Sequence, residues 1–493
     1  MSYLELTRMA GAEAILAIAV VVVLFFDLYV VRDQTPGTRR GFAAALSVIG
    51  CAAGLMFVKL MGGEGEIPGG MLVLDDLTRI AKMSVLGIAA FAILLSADND
   101  FTPHVGEYYA LMLTSTIGMA LMVSSENLLM MFVALELASL SLYILVGFNK
   151  HCAKSSEAAL KYFLFGGMSA AFMLFGLSLL YGLSGSLELD GIAKSLQHQG
   201  ADPLTLAAMV MVLIGFGFKV AVVPFHLWAP DAYEGAPTSS AALVATGSKV
   251  AAFFLMTKFV MTAFPASLGS GGWRAFEAGW APAVAALAAL SMIIGNLGAL
   301  AQTSVKRLLA YSAIANAGYA MMGLLGNSGQ GMASVMFFAV TYAAATLGAF
   351  GVVSAVERNR GGDKLADFAG LQKDSPWLSF FMMIFLLSLA GIPPLAGFFG
   401  KFYLFAAAVN GGEDLSLMWL VVVAVAMSSV SLYYYLQPLK QIYVVDRPAG
   451  AGEFKGGFAL WVGLVGLAAA VVAFGCAPDL LVDCLTRGGV EAH

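Results

Sequence analysis

Lys219 stands inside an apolar run, LIGFGFKVAVVPFHLW, with Pro224 five residues on and His226 just beyond. A charged side chain at membrane depth costs about 2.5–3.5 kcal/mol on insertion scales, so it needs a partner or a task. Pro224 removes a backbone donor and clashes with the preceding turn, which predicts a helix that kinks or opens beside the lysine. Broken helices next to ionisable residues recur along ion paths in transporters. His226 follows Lys219 by seven residues, which predicts a place two helical turns along the same face. Glu136, Lys161, Lys249 and Lys401 also lie in otherwise apolar runs. Lys161 is close to the end of its run, where a long side chain snorkels to water. Lys82 and Lys258 are near run ends too, and snorkelling or packing is expected to satisfy them.

Such residues suit proton transfer. A lysine withdrawn from water can lose up to about 3–5 units from its ordinary pKa of about 10.4, and a nearby carboxylate restores about 1–3 units. A Glu136 that approaches and leaves Lys219 would load and then eject a proton. Moving one charge against about 150 mV takes about 3.5 kcal/mol. That equals about 2.5 pKa units. One contact barely suffices, so a second step from Lys249 to Lys401 is expected. The opposing reading is a set of static ion pairs. The surplus of buried lysines over carboxylates, with only Glu136 well inside, argues against it. Tyr311, Ser312, Tyr319, Thr341, Tyr342 and Thr346 could bond a file of water, but such residues also pack helices.

The elements that carry these residues follow from composition. The 493 residues are 60% hydrophobic and 12% charged, against about 25% charged in soluble domains. This is the profile of an all-α polytopic membrane protein with room for about 14 transmembrane helices. A net charge of −5 argues against a nucleic-acid partner. Four scattered cysteines without a CxxC argue against an iron–sulfur cluster or structural zinc. Cys476 and Cys484 flank the end of the last span and read more simply as two thiols than as a pair. Gly215-Phe216-Gly217 lacks the third glycine and the strand–helix setting of a dinucleotide site, and there is no P-loop. Energy must then come from an ion gradient or a partner protein. The run from Ala14 to Val31 lacks a basic leader and precedes Arg32, Arg39 and Arg40, so it reads as a first span rather than a cleaved signal.

Apolar runs predict spans near 12–31, 42–61, 77–96, 108–124, 127–148, 159–183 and 204–228. They continue near 238–264, 281–301, 307–326, 332–356, 376–409, 416–444 and 458–477. The run 376–409 is too long for one straight span, and Gly391-Ile392-Pro393-Pro394 predicts a second broken helix. Lys and Arg concentrate in loops after odd-numbered spans, which places those loops in the cytoplasm and both termini outside. A shift of 175 residues overlays KYFLFGGMSAAFMLFG (161–176) on MFFAVTYAAATLGAFG (336–351), and a similar shift brings Tyr143 near Tyr319. This implies two inverted five-helix repeats, with broken helices at spans 7 and 12. The expected organisation is three N-terminal helices (1–106), a first repeat (107–264), a second repeat (281–445) and a last helix with its tail (446–493).

The runs GFGFKVAVVPFHLWAPDAYEGAPT, ATGSKVAAFF, VKRLLAYSAIANAGY and SLAGIPPLAGFFGKFYLF resemble the antiporter-like membrane subunits of respiratory complex I, the proton-pumping NADH:quinone oxidoreductase. The resemblance spans about residues 10–480. Lys401 stands where the middle member has a glutamate, and little chain follows Cys476 for the long lateral helix of the largest member. The resemblance implies that Glu136 and Lys219 pair in a first half-channel, Lys249 is the central relay, Lys401 serves a second half-channel, and Lys161 and His226 are secondary. It implies partners: an antiporter-like neighbour and small membrane subunits, in a bacterial inner membrane. NADH, FMN, iron–sulfur clusters and quinone are expected in partner subunits, with none bound here. Subunits of multisubunit sodium/proton antiporters and of membrane-bound hydrogenases are similar, and neighbouring genes would tell them apart.

Overall fold

The computed structural model describes residues 3–61, 65–197, 202–273, 276–326, 329–411, 415–447, 454 and 456–490. Apart from two short antiparallel hairpins, Gly65–Glu66 with Val73–Leu74 and Ser270–Gly271 with Phe276–Glu277, the elements are helices. Eleven helices among the described residues are long and apolar enough to cross a membrane. Val105–Ser124, Val305–Leu324 and the consecutive Pro376–Ala390 and Ala396–Gly411 occupy the other three expected spans. The first helix begins earlier than expected, at Tyr3, and ends in a π-helical turn, Phe26–Val30.

Two long helices form the centre. The apolar stretch of Thr238–Ala263 is wholly buried and that of Gly329–Arg360 is 94% buried. Lys249 lies on the first and Thr341 and Tyr342 on the second, so the packing puts these residues in the middle of the protein. Helices such as Ala153–Ser184 instead expose Phe163, Leu164 and Phe175, as a lipid- or partner-facing helix does. The run 238–264, expected as one span, carries no proline to mark a break. It is divided at Thr246 (φ −122, ψ −76) into Thr238–Ala245 and Gly247–Ala263. Thr246 Oγ1 donates to the Ala242 carbonyl at 2.6 Å, a local bond that competes with the helix ladder.

Matched contacts support the internal repeat. A Cβ on Gly118 would lie 2.5 Å from Ala138 N, and one on Gly295 would lie 2.5 Å from Ala315 N. Asn127 caps Leu128–Val146 and bridges to Glu188; Ser304 caps Val305–Leu324 and bridges to Lys364. These residues recur at offsets of 176 or 177, near the 175 read from sequence.

The expectation that only Glu136 is a well-buried carboxylate is corrected. Glu13 (6% exposed) forms an ion pair with Lys82 Nζ at 2.8 Å, and Lys82 is itself 1% exposed. Asp27, also buried, accepts from Arg39 at 2.7 and 2.9 Å and from Gly106 N at 3.0 Å. Packing thus does satisfy Lys82, by a buried ion pair that ties the first span to the third. Removing one partner of such a pair costs about 3–5 kcal/mol, whereas replacing both by apolar groups is often neutral. Glu13→Gln is therefore expected to lower the thermal midpoint of the detergent-solubilised protein, and E13Q/K82M to recover most of the loss. Equal midpoints for the single and double variants would contradict this.

Candidate functional site

The helix Pro203–Val220 stops one residue after Lys219. Ala221 takes a left-handed conformation (φ 61), which costs an L-residue about 1–2 kcal/mol. Two bonds offset the cost: Ala221 N donates to the Phe218 carbonyl at 3.0 Å and Val222 N to that of Gly217 at 2.9 Å. Val223 N then donates to Ser291 Oγ at 2.9 Å, and helix resumes at Trp228–Gly235. Pro224 does mark an opening beside Lys219. His226 therefore cannot share a helix face with Lys219, because the helix counted through to it has ended. It lies half-buried in the break.

Lys219 is 1% exposed, and its Nζ donates to Ser139 Oγ at 2.8 Å. Ser139 is about one turn beyond Glu136 on Leu128–Val146, so the two share a face. Glu136 is half-buried, and its Oε1 is buried without a hydrogen bond. Among the described residues Glu136 and Lys219 form no ion pair within 4.0 Å; the lysine's proton bond goes to Ser139 instead.

The second break has the same cap. Pro376–Ala390 ends at Gly391 (φ 86), where Ile392 N donates to the Leu387 carbonyl at 3.1 Å and Gly391 N to that of Ser388 at 2.9 Å. The last carbonyls of a helix lack partners and carry the negative end of its dipole. Lys401, on the resumed helix Ala396–Gly411, folds back onto them: Nζ donates to the carbonyls of Leu389 (3.1 Å) and Ala390 (3.2 Å) and to Ser428 Oγ (3.1 Å). It also sits 5.0 Å from the centre of the Tyr319 ring, a cation–π arrangement.

Lys249 lies three residues beyond the Thr246 division, and its Nζ donates to the Ala313 carbonyl at 2.9 Å. Two small cavities of about 10 Å³ each, room for about one water, lie between it and Lys401. Lys249, Ala313 and Phe253 line one; Lys401, Ser388 and Thr341 line the other; Asn316, Phe338 and Tyr342 line both. Asn316 donates to Ser312 O (2.9 Å), Ser312 Oγ (3.3 Å) and Tyr435 OH (3.3 Å), and Ser312 bonds Tyr435 in turn. Nearby, Tyr434 OH donates to Asn296 Oδ1 at 3.0 Å, and Asn296 Nδ2 donates to Tyr319 OH at 3.2 Å.

Lys161 is not enclosed in the protein as Lys219, Lys249 and Lys401 are. Its side chain is 40% exposed and pairs with Glu157 at 2.6 Å and Asp231 at 2.7 Å. Lys258, by contrast, is 7% exposed and pairs with Glu126 at 2.5 Å. Cys476 and Cys484 are free and exposed. Sequence reasoning missed Ser139, Ser428, Asn296, Asn316, Tyr434 and Tyr435. An asparagine inside an apolar run is itself a signal, since an unpaired buried amide is costly.

The sequence profile of the transmembrane family "NADH:quinone oxidoreductase/Mrp antiporter" matches residues 125–429. The chain belongs to this family. It is 46% identical to NADH-quinone oxidoreductase subunit N 2 of Acidobacterium capsulatum, over 98% of this chain and 99% of that one. A chain of respiratory complex I from Thermus thermophilus superposes with a TM-score of 0.80 at 34% identity, covering 97% of this chain and all of that one. A chain of the Mrp complex of Dietzia superposes with a TM-score of 0.79 at 19% identity, over 98% and 97% of the two chains, which shows a shared fold.

Proposed function

We propose that this chain is the subunit-N-type proton-translocating membrane subunit of an NADH:quinone oxidoreductase. One observation carries the translocating role. Lys219, Lys249 and Lys401 are nearly fully buried, and the hydrogen-bond acceptors of their Nζ atoms are neutral oxygens of Ser139, Ala313, Leu389, Ala390 and Ser428. Among the described residues none of the three has a carboxylate within 4.0 Å, unlike Lys82 and Lys258. A lysine held by neutral oxygens leaves no orphaned anion when it gives up its proton, so it can load and unload. A lysine locked to a glutamate cannot.

In this reading Glu136 sets the charge state of Lys219 from across Ser139. Lys249 is the central relay, joined to Lys401 by the two water-sized cavities and Asn316. Lys401 delivers to the far side, and His226 and Lys161 play secondary parts at the cytoplasmic side. The three N-terminal helices, the two repeats and the last helix act as one membrane domain. NADH, FMN, iron–sulfur clusters and quinone belong to partner subunits, and this chain takes no part in electron transfer. Its neighbours are an antiporter-like subunit, small membrane subunits and lipid, in a bacterial inner membrane with both termini outside. The near full-length identity to a subunit N supports redox coupling over the sodium/proton antiporter reading.

Affinity purification of the tagged chain in mild detergent tests this. NADH:quinone reductase activity is expected to co-purify, and the reconstituted complex to move protons on adding NADH and quinone. A preparation that exchanges sodium for protons down a gradient, with no NADH-linked activity, would sink the proposal.

A further inference from the structure

The helix Trp228–Gly235 has eight residues, too few to be stable alone. It joins the break after Lys219 to the helix that carries Lys249, so whatever holds it sets the spacing of both. One side of it is packed by its own half of the protein. Trp228 stacks on Tyr162 at 4.2 Å and donates from Nε1 to the Phe218 carbonyl at 3.0 Å, and a Cβ on Gly235 would lie 2.5 Å from the Lys154 carbonyl. The other side carries Asp231 and Glu234, which share a face at this spacing. Arg307 Nη1 donates to both, at 2.7 and 2.9 Å. Lys161 and Lys154 complete the cluster, at 2.7 Å from Asp231 and 2.9 Å from Glu234. Arg307 and its neighbour Lys306 come from the first turn of Val305–Leu324, in the second half of the chain. Lys306 reaches Thr238 Oγ1 (3.3 Å) and Glu357 (3.1 Å), so the junction with the next helix is held from the same turn.

We infer that Arg307 is a positioning residue: by clamping Asp231 and Glu234 it fixes the cytoplasmic half of the first broken helix to the second repeat, and so holds Lys219 and Lys249 in register for proton transfer. The inference rests on the proposed translocating role. Both bonds to the carboxylates leave one nitrogen, Nη1, while Nε donates to Gln302 Oε1 at 3.2 Å and fixes the plane of the guanidinium; a lysine could place charge here but lacks that second anchor. Burial opposes charge on Asp231 and Glu234, but bonds from Lys161, Lys154 and Arg307 outweigh it and hold both carboxyls below the ordinary carboxylate range. Groups with a lowered folded pKa stabilise above their unfolded pKa and lose that contribution as pH falls through the folded value. The clamp is therefore fully charged throughout the neutral range.

The test uses the intact membrane complex carrying R307Q, R307K, D231N/E234Q or all three neutral changes. Loss of a bond to a charged group predicts amide hydrogen exchange across residues 228–238 on the order of tenfold faster in R307Q. Protons moved per NADH should fall with it. R307K should recover part of both, and the triple variant should be no worse than R307Q, because the groups act as one unit. If R307Q does not assemble, R307K and D231N/E234Q carry the comparison. Unchanged exchange, faster exchange with unchanged protons per NADH, or additive losses would each overturn the inference. Exchange is read without turnover, so a wild-type complex that fails to pump would count against the proposed function and leave the clamp measurable.

Discussion

Changing Lys219 to Ala in the assembled complex is expected to reduce NADH-driven proton uptake and quinone reduction together, by at least about tenfold, the rate effect of 1.36 kcal/mol at a barrier. Lys219 is buried beside the end of its helix, and it donates a hydrogen bond to Ser139. Alanine removes the titrating group and the Ser139 bond that ties the two helices there, while Ser139 keeps its bond to Leu135 O. A companion variant separates charge from proton exchange. Arginine keeps a positive charge at this depth but does not deprotonate in proteins. Lys219→Arg is therefore expected to be nearly as damaging as Ala, if the lysine's role is to release a proton. Full activity in Lys219→Arg would mean that a fixed charge is enough and that the relay is wrong. If Lys219→Ala leaves NADH oxidation untouched and abolishes gradient-driven exchange alone, the chain serves an antiporter. Assembly of each variant is checked first, by native electrophoresis of the solubilised complex.

The parts of this site that are written locally were legible. Pro224 and the Gly391-Ile392-Pro393-Pro394 run announce interrupted helices, because proline cannot donate and glycine accepts a left-handed turn. A lysine in an apolar run is equally plain. The partners of those lysines were not legible. Lys249 bonds a backbone carbonyl on a helix more than sixty residues away, and nothing about Ala313 marks it as an acceptor. Lys219 was expected to meet Glu136, the obvious opposite charge, yet it bonds the neighbouring Ser139. The Thr246 division has no proline to reveal it. His226 was misplaced by carrying helical spacing past a residue already expected to end the helix. Glu13 shows the limit from the other side: one glutamate near the start of an apolar run looks incidental until the third span brings Lys82 to it.

Gly397→Ala is the small change expected to do most damage at the second break. Gly397 N donates to Ser388 Oγ at 3.2 Å, and a Cβ there would lie 1.9 Å from the Ser388 carbonyl oxygen. That oxygen is backbone, so no side-chain rotation can relieve the clash. The end of Pro376–Ala390 must move away from Ala396–Gly411, and the carbonyls of Leu389 and Ala390 move with it. Those two oxygens hold the Lys401 ammonium together with Ser428 Oγ, so the substitution strips two of the lysine's three acceptors without touching the lysine. Overpacking of this kind costs about 1–3 kcal/mol or more where the surroundings cannot yield. The expected result is a complex that assembles in reduced amount and moves protons at least about tenfold more slowly per assembled copy. Gly167→Ala is the matched control, since a Cβ there meets nothing within 4 Å. Gly391→Ala should fall between them, because its cost is left-handed strain of about 1–2 kcal/mol and a 3.2 Å contact with the flexible Lys401 side chain rather than a backbone collision. Purified variants compared for yield, thermal midpoint and NADH-driven proton uptake decide the matter. Normal uptake in Gly397→Ala would show that Lys401 works without the carbonyl cradle, and its acceptors would have to be sought elsewhere.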